Sequence, residues 1–485
     1  MFLIFDTETT GLPSNYNAPV SDSSNWPRMV QIAWQLHDKF GKLLNHNSII
    51  IKPEGYKIPF AATKIHGISN EQALLEGKEL VKSLDEFISV LNSTTYICGH
   101  NIDFDIKIIG AEFYRYGKNN FFAGKKKLDT ISNQTTEFCA LPGGKGGKFK
   151  YPSLTELYKK LFSEKFQEAH NASFDVQATA KVLFEIIKRK IISIAEITEN
   201  EITKINYEDV DLSHLLKTES KSETRTETKA ATTLNSLLTT HSFSHLHNHS
   251  QYSVLQSISD LNNLIDRAVD FKMPALALTD HGNMYATFLF WQAIDKYNKS
   301  VKIHNEKIIS GEKKGEEKKL LKCIIGCELN VTRNHLDKSK HDNGFQIPFL
   351  AKNKIGYQNL CKLSSKGFTE GMYYVPRVDK DLLAQYKDGL ICFTGSIHGE
   401  IPSTIINFGE EDGEKIFLWY KNLFGDDFYV ELNRHSLQEE EYVNEVLLRF
   451  AKKHNVKYFA ANNNYYIDKK NALSRDILLC VKEGL

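Results

Sequence analysis

The feature that most constrains the fold is the stretch Lys217 to Lys229, in which every side chain is either small and polar or charged. A segment without an apolar face cannot pack into a core, so the chain on each side of it must bury its own apolar residues. The 485 residues are enough for two or three domains of about 150 residues each. We therefore predict domains at residues 1–192 and 243–485, joined by a flexible linker over residues 193–242.

The composition excludes several classes of protein. Hydrophobic residues make up 41% and charged residues 25% of the chain, close to the average for globular proteins. No run approaches the roughly 20 apolar residues that span a bilayer, and Asp6 interrupts the opening apolar run too early for a signal peptide. Seven cysteines spread from Cys98 to Cys480 predict free thiols in a reducing compartment. We expect a cytoplasmic protein without a membrane partner.

The net charge of +1 gives no overall attraction to nucleic acid, so any contact with phosphates must come from local sites.

The first domain has the pattern of a mixed α/β fold. An apolar strand at Phe2–Phe5 precedes two further strand patterns, Met29–Leu36 and Leu43–Ile51, which predict a meander. A capping box at Ser69–Gln72 predicts the start of a helix, and the apolar positions from Asn171 to Lys190 follow helical spacing.

The second domain alternates strand and helix patterns, and such βα units favour a mainly parallel sheet, open or closed into a barrel. The predicted strands are Ala275–Thr279, Cys323–Val331, Gly389–Thr394, Tyr429–Leu432 and Lys457–Ala461. The predicted helices are Ser259–Phe271, Ile355–Gly367, Gln438–His454 and Lys469–Val481. The charged run Ile308–Lys322 indicates a solvated insertion loop.

Four carboxylates and one histidine in the first domain have the pattern of a two-metal phosphodiesterase. Asp6 and Glu8 lie one residue apart at a strand end and so point to the same side of the sheet. Asp105 follows another strand, and Asp175 lies in the first turns of a helix, just after His170. Carboxylate oxygens suit hard divalent cations, and a nearby imidazole is able to take the proton of an attacking water.

In this order and spacing, Asp6-Thr-Glu8, His66-Gly-Ile68, His100-Asn-x-x-Phe-Asp105 and His170-x4-Asp175 resemble the DnaQ-like 3′→5′ exonucleases of the DEDDh type. The resemblance implies a mixed-sheet, ribonuclease H-like α/β fold that acts on the 3′ end of single-stranded DNA. It further implies two Mg²⁺ or Mn²⁺ ions as cofactors. The implied metal ligands are Asp6, Glu8, Asp105 and Asp175, and the implied general base is His170.

Three other features of the first domain can each be interpreted in two ways. Asp103 faces the same way as Asp105 if the backbone is extended there. We nevertheless assign the metal ligand to Asp105, because Phe104 matches the phenylalanine of the family's motif. His66 precedes a capping box and is interpreted as a structural cap or a neighbour of the substrate pocket. The loop Pro142–Lys150 has lysines that suit backbone phosphates, and a solvated flexible loop is the alternative.

Histidines and a carboxylate also lie at predicted strand ends of the second domain, the usual location of barrel active sites. These residues are His247, His249, His281 and Glu328. The sequence around these residues resembles the polymerase and histidinol phosphatase (PHP) domain of bacterial replicative DNA polymerase III alpha subunits. This resemblance implies a (β/α) barrel-like fold. The segments that carry the resemblance are Pro274–Met284, Leu350–Leu360 and Glu370–Arg377.

The second domain departs from the PHP pattern at about half of the nine metal ligands that the resemblance implies. Gln256, Gln346 and Ser396 replace an acid, a histidine and a cysteine, and Asn462–Tyr465 replaces the closing Asn-Asp-x-His. These neutral side chains should not assemble a three-metal cluster. The retained His247, His249, His281 and Glu328 are enough for one Zn²⁺, and buried polar residues without a metal are the alternative.

Together the two resemblances imply part of a replicative polymerase with a fused proofreading nuclease and a PHP scaffold. Because nothing in the sequence resembles the paired aspartates of a polymerase palm, we expect this chain to be a fragment that does not polymerise nucleotides. The expected partners are DNA and replisome components such as a sliding clamp. The alternatives are an active PHP phosphoesterase, or a non-catalytic interaction module of the replisome.

Overall fold

The computed structural model describes residues 1–118, 120–164, 171–212 and 243–484. The chain divides into two compact units, Met1–Thr224 and Arg225–Leu485. Residues 213–242, which include most of the predicted linker, lie outside the described residues. None of the described helices is both long and apolar enough to cross a membrane.

The first unit is built on a mixed five-stranded sheet with the order β3-β2-β1-β4-β5. The central strand β1 is antiparallel to β2 and parallel to β4, and β2 and β3 form the predicted meander. The strands are β1 (Phe2–Thr9), β2 (Met29–His37), β3 (Leu43–Ile50), β4 (Tyr96–Gly99) and β5 (Lys126–Asp129).

Helices cover both faces of this sheet because successive residues of β1 point in opposite directions. Leu3 and Phe5 belong to one buried cluster, whereas Phe2 and Ile4 belong to another. The helices of the unit are α1 (Phe60–His66), α2 (Asn70–Glu76), α3 (Leu80–Asn92), α4 (Ile102–Arg115), α5 (Asn133–Cys139), α6 (Leu154–Phe162), α7 (Ala172–Lys188) and α8 (Glu199–Ile202).

The predicted start of the linker at residue 193 is wrong, because residues beyond it pack on the first unit. Ile194, Ile197 and Ile205 are buried in the same cluster as Phe2. The backbone of Asn206 donates to the carbonyl of Phe40 at 2.8 Å. Isolated isoleucines in a polar stretch lack a helical or strand period, which is why the sequence pattern did not show this packing.

The second unit contains a seven-stranded sheet with the order β12-β11-β10-β8-β7-β6, in which β9 pairs with β7. Most pairs are parallel, as predicted, but β8 is antiparallel to both of its neighbours and was not predicted as a strand. The strands are β6 (Ala275–Leu278), β7 (Lys322–Thr332), β8 (Phe345–Ala351), β9 (Arg377–Asp379), β10 (Leu390–Phe393), β11 (Phe428–Asn433) and β12 (Lys457–Ala461).

The segment of residues 245–249 links the two edges of this sheet. On one side, the amide groups of Ala277 and Thr279 donate to the carbonyls of His245 and Asn248. On the other side, His249 donates to the carbonyl of Asn464, and Asn464 donates to that of His247, just after β12. The sheet is therefore closed at this end, in agreement with the predicted barrel-like fold.

Helices pack against the outside of the second sheet and enclose its largest buried cluster. The charged stretch after Ile309 is exposed, as predicted for an insertion loop, although the helix that precedes it was not predicted. The helices are α9 (Leu261–Asp270), α10 (Thr287–Ile309), α11 (Lys354–Thr369), α12 (Lys380–Gln385), α13 (Glu400–Phe408), α14 (Glu410–Phe424), α15 (Gln438–His454) and α16 (Ala472–Glu483).

Candidate functional site

Three of the predicted ligand carboxylates meet at the end of β1. Asp6 and Glu8 point to one face of the strand, and α7, which packs across β1 and β2, brings Asp175 to the same place. One carboxylate oxygen from each of the three lies within 4.8 Å of the others. All three side chains are partly accessible, so a cation and a substrate are able to reach them.

Asp105 lies beside this group but is held differently. Its Oδ1 accepts hydrogen bonds from the backbone N–H of Thr7 at 2.9 Å and from the Thr7 hydroxyl at 2.7 Å. The side chain of Asp105 is 3% exposed. Thr7, which the motif analysis treated only as a spacer between Asp6 and Glu8, therefore fixes the position of the fourth carboxylate.

The carboxylates of this group repel one another, and this repulsion together with burial raises their pKa values. Burial and the neighbouring carboxylates of Asp175 and Asp105 raise the pKa of Glu8 to about 8. Burial raises the pKa of Asp105 to about 7, although its hydrogen bonds from Thr7 act in the opposite direction. The pKa of Asp6 is also well above its usual range, because of burial and then the charges of Asp105, Asp175 and Glu8. A divalent cation bound by these oxygens would favour the ionised forms.

Asp129 organises the start of the helix that carries Asp105. Its carboxylate accepts hydrogen bonds from the backbone N–H groups of Asn101 at 2.9 Å, Ile102 at 3.1 Å and Ile131 at 2.8 Å. Asn101 has a positive φ of 66°, so the turn before the helix is left-handed. A carboxylate on free N–H groups at a helix N-terminus is favourable. Asp129 was not singled out in the sequence analysis, although an acid at the end of a short strand was a signal that could have indicated it.

Asp103 does not face the same way as Asp105, because both lie on the helix α4 rather than on an extended backbone. The Asp103 carboxylate is exposed and accepts a hydrogen bond from Lys127 Nζ at 2.6 Å. Residues two apart on a helix do not share a face.

The histidines of the first unit have different surroundings. His170, the predicted general base, lies outside the described residues. His66 is buried at the end of α1, where its Nδ1 accepts a hydrogen bond from the backbone N–H of Ile68 at 3.1 Å. His100 Nδ1 lies 2.7 Å from the hydroxyl of Thr130. Burial lowers the pKa of both His66 and His100 to about 4, so each ring is neutral at pH 7.

The second unit contains a separate polar centre at the closed end of its sheet. His247 is fully buried and lies between two carboxylates: Nε2 is 3.0 Å from Glu328 Oε1, and Nδ1 is 2.8 Å from Glu431 Oε1. Glu431 was missed by the sequence analysis. It lies in the middle of β11, and the available signal was an acid within an otherwise apolar strand.

Glu328 is the hub of this centre. Its Oε2 lies 2.8 Å from His281 Nδ1 and 3.8 Å from His249 Nε2. The His249 ring lies 2.9 Å from Asn463 Oδ1 through Nε2 and stacks on Tyr465 with the ring centroids 4.3 Å apart. The four retained residues therefore meet, and two of the substituted positions, Asn463 and Tyr465, pack directly on His249.

The charges of this second centre are of opposite sign. Burial disfavours the protonated form of His247, but the charges and hydrogen bonds of Glu431 and Glu328 together outweigh it and raise its pKa to about 10. Burial raises the pKa of Glu328, yet hydrogen bonds from His247 and His281 bring it well below its usual range. For His249 burial dominates and lowers the pKa to about 3.

The donor atoms of the two centres suit different ions. Oxygen atoms of Asp6, Glu8 and Asp175 fit hard cations such as Mg²⁺ and Mn²⁺. Nitrogen atoms of His247 and His249 together with Glu328 provide donors within 4.8 Å of one another, a set that fits one borderline ion such as Zn²⁺.

Comparison with known families gives one match in each unit. Residues 3–183 match the exonuclease family, and residues 245–435 match the PHP domain family. The DNA polymerase III subunit alpha of Borreliella burgdorferi is 36% identical over 246 residues, which are 50% of this chain and 20% of that protein. The corresponding subunit of Treponema pallidum is 38% identical over 245 residues, 50% of this chain and 19% of that protein.

The chain therefore spans about a fifth of the length of these relatives. Among solved structures, E. coli Exonuclease I in complex with a dA16 oligonucleotide aligns with a TM-score of 0.32 and 22% identity, over 39% of this chain and 40% of that one.

Proposed function

We propose that this chain joins an exonuclease-family domain to a PHP domain. On this premise, the chain is the proofreading part of a replicative DNA polymerase. The first unit removes nucleotides from DNA 3′ ends, and the second serves as a scaffold. The observation that carries the proposal is the convergence of Asp6, Glu8 and Asp175 beside Asp105, which is anchored by Thr7.

The proposed roles follow from the chemistry of these side chains. Asp6, Glu8, Asp105 and Asp175 hold two divalent cations, which when bound polarise the phosphodiester and lower the pKa of water. His170, five residues before Asp175, takes the proton of the attacking water. Thr7 keeps Asp105 in place through two hydrogen bonds, so this ligand does not have to be ordered when the cations bind.

The scaffold role of the second unit is supported by what surrounds its histidines. Neutral Gln256, Gln346 and Ser396 stand where the PHP resemblance implies ligands, and Asn463 and Tyr465 pack on His249. This arrangement does not supply the anionic donors that a three-metal phosphoesterase centre requires.

Partners and location are part of the same proposal. The curated relatives that match half of the chain are polymerase subunits, so we propose single-stranded DNA as the substrate and a sliding clamp among the partners. A replication protein of this kind acts in the cytoplasm of a bacterium.

The test is an exonuclease assay on the full chain with a 5′-labelled single-stranded oligonucleotide. We expect a ladder of products shortened from the 3′ end with Mg²⁺ or Mn²⁺ and none with a chelator. His170→Ala should reduce the rate by about 100-fold or more, the usual scale for a lost general base, with oligonucleotide binding in Ca²⁺ unchanged. Products shortened from the 5′ end, or full activity in the variant, would refute the assignment.

The same assay separates the alternatives. An active PHP phosphoesterase predicts metal-dependent hydrolysis that survives Asp6→Ala and is lost in His247→Ala. A non-catalytic interaction module predicts no hydrolysis under any condition. RNA of the same sequence, assayed in parallel, measures the preference between the two nucleic acids.

A further inference from the structure

The sheet of the second unit has an apolar cavity at the end opposite to the histidine centre. The cavity has a volume of about 1090 Å³ and is open to solvent on one side. Its wall includes Leu246, Ile324, Ile391, Phe393 and Phe459. A volume of this size is close to the upper limit of the sites that bury most of a ligand's surface.

Four lysines surround the mouth of this cavity: Lys322, Lys352, Lys354 and Lys457. Lys352 is paired with Asp427, through contacts of 2.8 and 2.9 Å. Within the part of the chain that the structure describes, the other three lysines form no ion pair. The mouth therefore has an uncompensated positive charge around an apolar interior.

The cavity and the histidine centre share no residues. On β11, Tyr429 lines the cavity, whereas Glu431, two residues further along, belongs to the histidine centre. On β7, Ile325 lines the cavity, and Glu328 is the hub of the histidine centre. The cavity is thus at the ends where the parallel strands begin, away from the usual location of barrel chemistry.

We propose that this cavity is a docking site for a segment of a partner protein that has a large apolar side chain flanked by acidic residues. The apolar side chain enters the space between Ile324, Ile391 and Phe459, and the acidic residues face the lysines of the mouth. Charge complementarity carries the choice of partner, because an anionic ligand is the one that neutralises this rim.

The aromatic rings of the wall disfavour single-stranded nucleic acid as the occupant. Phe393 meets Phe459 with ring centroids 4.6 Å apart and planes tilted by 59°, and it meets Tyr429 edge to face at 89°. These rings pack on one another and do not present a series of open faces for base stacking. The lysines also line a single cavity, whereas a bound strand needs a track of cations.

The experiment begins with selection of random displayed peptides on the immobilised full chain. We expect the selected sequences to share an aromatic or aliphatic residue between aspartates or glutamates. A labelled synthetic copy of the consensus then gives the affinity by fluorescence anisotropy. A copy with serine at the apolar position should bind at least about tenfold more weakly, because the anchor is lost.

Matched variants locate the site. Lys354→Glu with Lys457→Glu should weaken binding by about tenfold or more, and Lys302→Glu, on the exposed face of α10, should change it less than about twofold. Tyr458→Ala should also weaken binding, whereas Tyr285→Ala should not, although both tyrosines are 60% exposed. These surface substitutions leave the core intact, and circular dichroism verifies the fold.

Three results would overturn the proposal. One is a selected set of peptides without the acidic and apolar pattern. Another is a peptide affinity that is equal for the double lysine variant and for Lys302→Glu. The third is evidence for a different occupant of the mouth: either a short oligothymidylate displaces the labelled peptide at lower concentration than unlabelled peptide does, or the chain self-associates in sedimentation.

Discussion

The two polar centres of this chain are built from different residues and balance their charges in opposite ways. At the end of β1, Asp6, Glu8 and Asp175 bring charges of the same sign within 4.8 Å. In the second unit, His247 lies between Glu328 and Glu431, so that positive and negative groups alternate. The first arrangement requires cations to be stable in its ionised form, whereas the second is compensated by its own side chains.

If the second unit is the scaffold proposed above, this difference explains how its histidine centre is held together without a metal cluster. The imidazole of His247, whose pKa is raised to about 10, carries positive charge between Glu328 and Glu431, where a cation would otherwise be needed. The first unit has no histidine or lysine among the described residues of its carboxylate group to play that part. Retained ligand residues are therefore weak evidence for catalysis unless the charge of the whole group is considered.

The largest expected effect is on the carboxylate centre. Asp105→Asn should lower the exonuclease rate by about 1000-fold or more, because it removes an anionic ligand from the cation pair. The matched control is Asp103→Asn, two residues earlier on the same helix, which breaks only an exposed pair with Lys127. Its rate should stay within about twofold of the wild type. Equal losses in the two variants would contradict the assignment of Asp105.

The second prediction concerns stability rather than activity. His247→Ala leaves Glu328 and Glu431 buried without their shared partner and should lower the free energy of unfolding of the second unit by about 3–5 kcal/mol. His341→Ala, at an exposed position, should change it by less than about 0.5 kcal/mol. Chemical unfolding followed by circular dichroism measures both.

The exonuclease rate of His247→Ala, measured where the variant is folded, should equal that of the wild type. Metal analysis of the wild type should likewise give at most one ion in residues 243–485. Loss of exonuclease activity in His247→Ala, or three ions bound to residues 243–485, would mean that the second unit is catalytic. The two centres would then not differ in their need for cations.

A smaller effect is expected from Asp129, which anchors the turn before α4. Asp129→Asn weakens the hydrogen bonds to the N–H groups of Asn101 and Ile102 and should lower the exonuclease rate about tenfold. Asp129→Glu, which restores the charge, should recover part of the rate. If the loss came only from global destabilisation, thermal unfolding would shift in proportion, and rates at low temperature would be normal.

The smallest effect is a different response of the two units to pH in the presence of a chelator. The carboxyl groups of Glu8 and Asp105, with pKa values raised to about 8 and about 7, stabilise the folded state fully at acidic pH and lose this contribution as the pH rises through those values. The pKa of His247 is raised from the usual 6.5 to about 10, so its contribution is full below about pH 6.5 and decreases steadily as the pH rises towards 10.

Calorimetry in the chelator should therefore show both transitions falling between about pH 6.5 and 8, and only the second transition continuing to fall between about pH 8 and 9.5. Adding Mg²⁺ should restore the first transition, and more so at the alkaline end. A first transition that rises with pH in the chelator would show that these carboxyl groups are not crowded in the folded protein.

The sequence predicted the residues of the carboxylate group better than the contacts that hold them. Period-two spacing placed Asp6 and Glu8 on one face of a strand, and the helical pattern after Asn171 placed Asp175 in a first helical turn. That these three residues belong to one group was implied by the family resemblance. The role of Thr7 depended on the tertiary approach of α4, which no local pattern encodes. Glu431 was missed for the same reason, since an acid inside a strand reveals its partner only when the sheet is formed.

The limits of the fold prediction have similar causes. β12 was predicted at its observed bounds, Lys457–Ala461, because it lies between a helix and a polar turn. β8 at Phe345–Ala351 was missed, since its pattern is interrupted by Pro348 and it runs against the expected parallel order. The packing of Ile205 beyond the predicted domain boundary likewise depended on distant residues.

The closure of the second sheet by residues 245–249 has a consequence for the order of folding during synthesis. Asn248 receives a hydrogen bond from Asn464, which lies 216 residues later in the chain. At roughly 5–20 residues per second, this partner emerges from the ribosome about 10–40 s after Asn248. For most of that interval the strand that carries Glu431, 184 residues after His247, has not been synthesised, so His247 lacks one of its two carboxylate partners. We expect the first unit to be folded and able to bind cations long before the second can close, so a nascent chain would carry a working nuclease ahead of a completed scaffold.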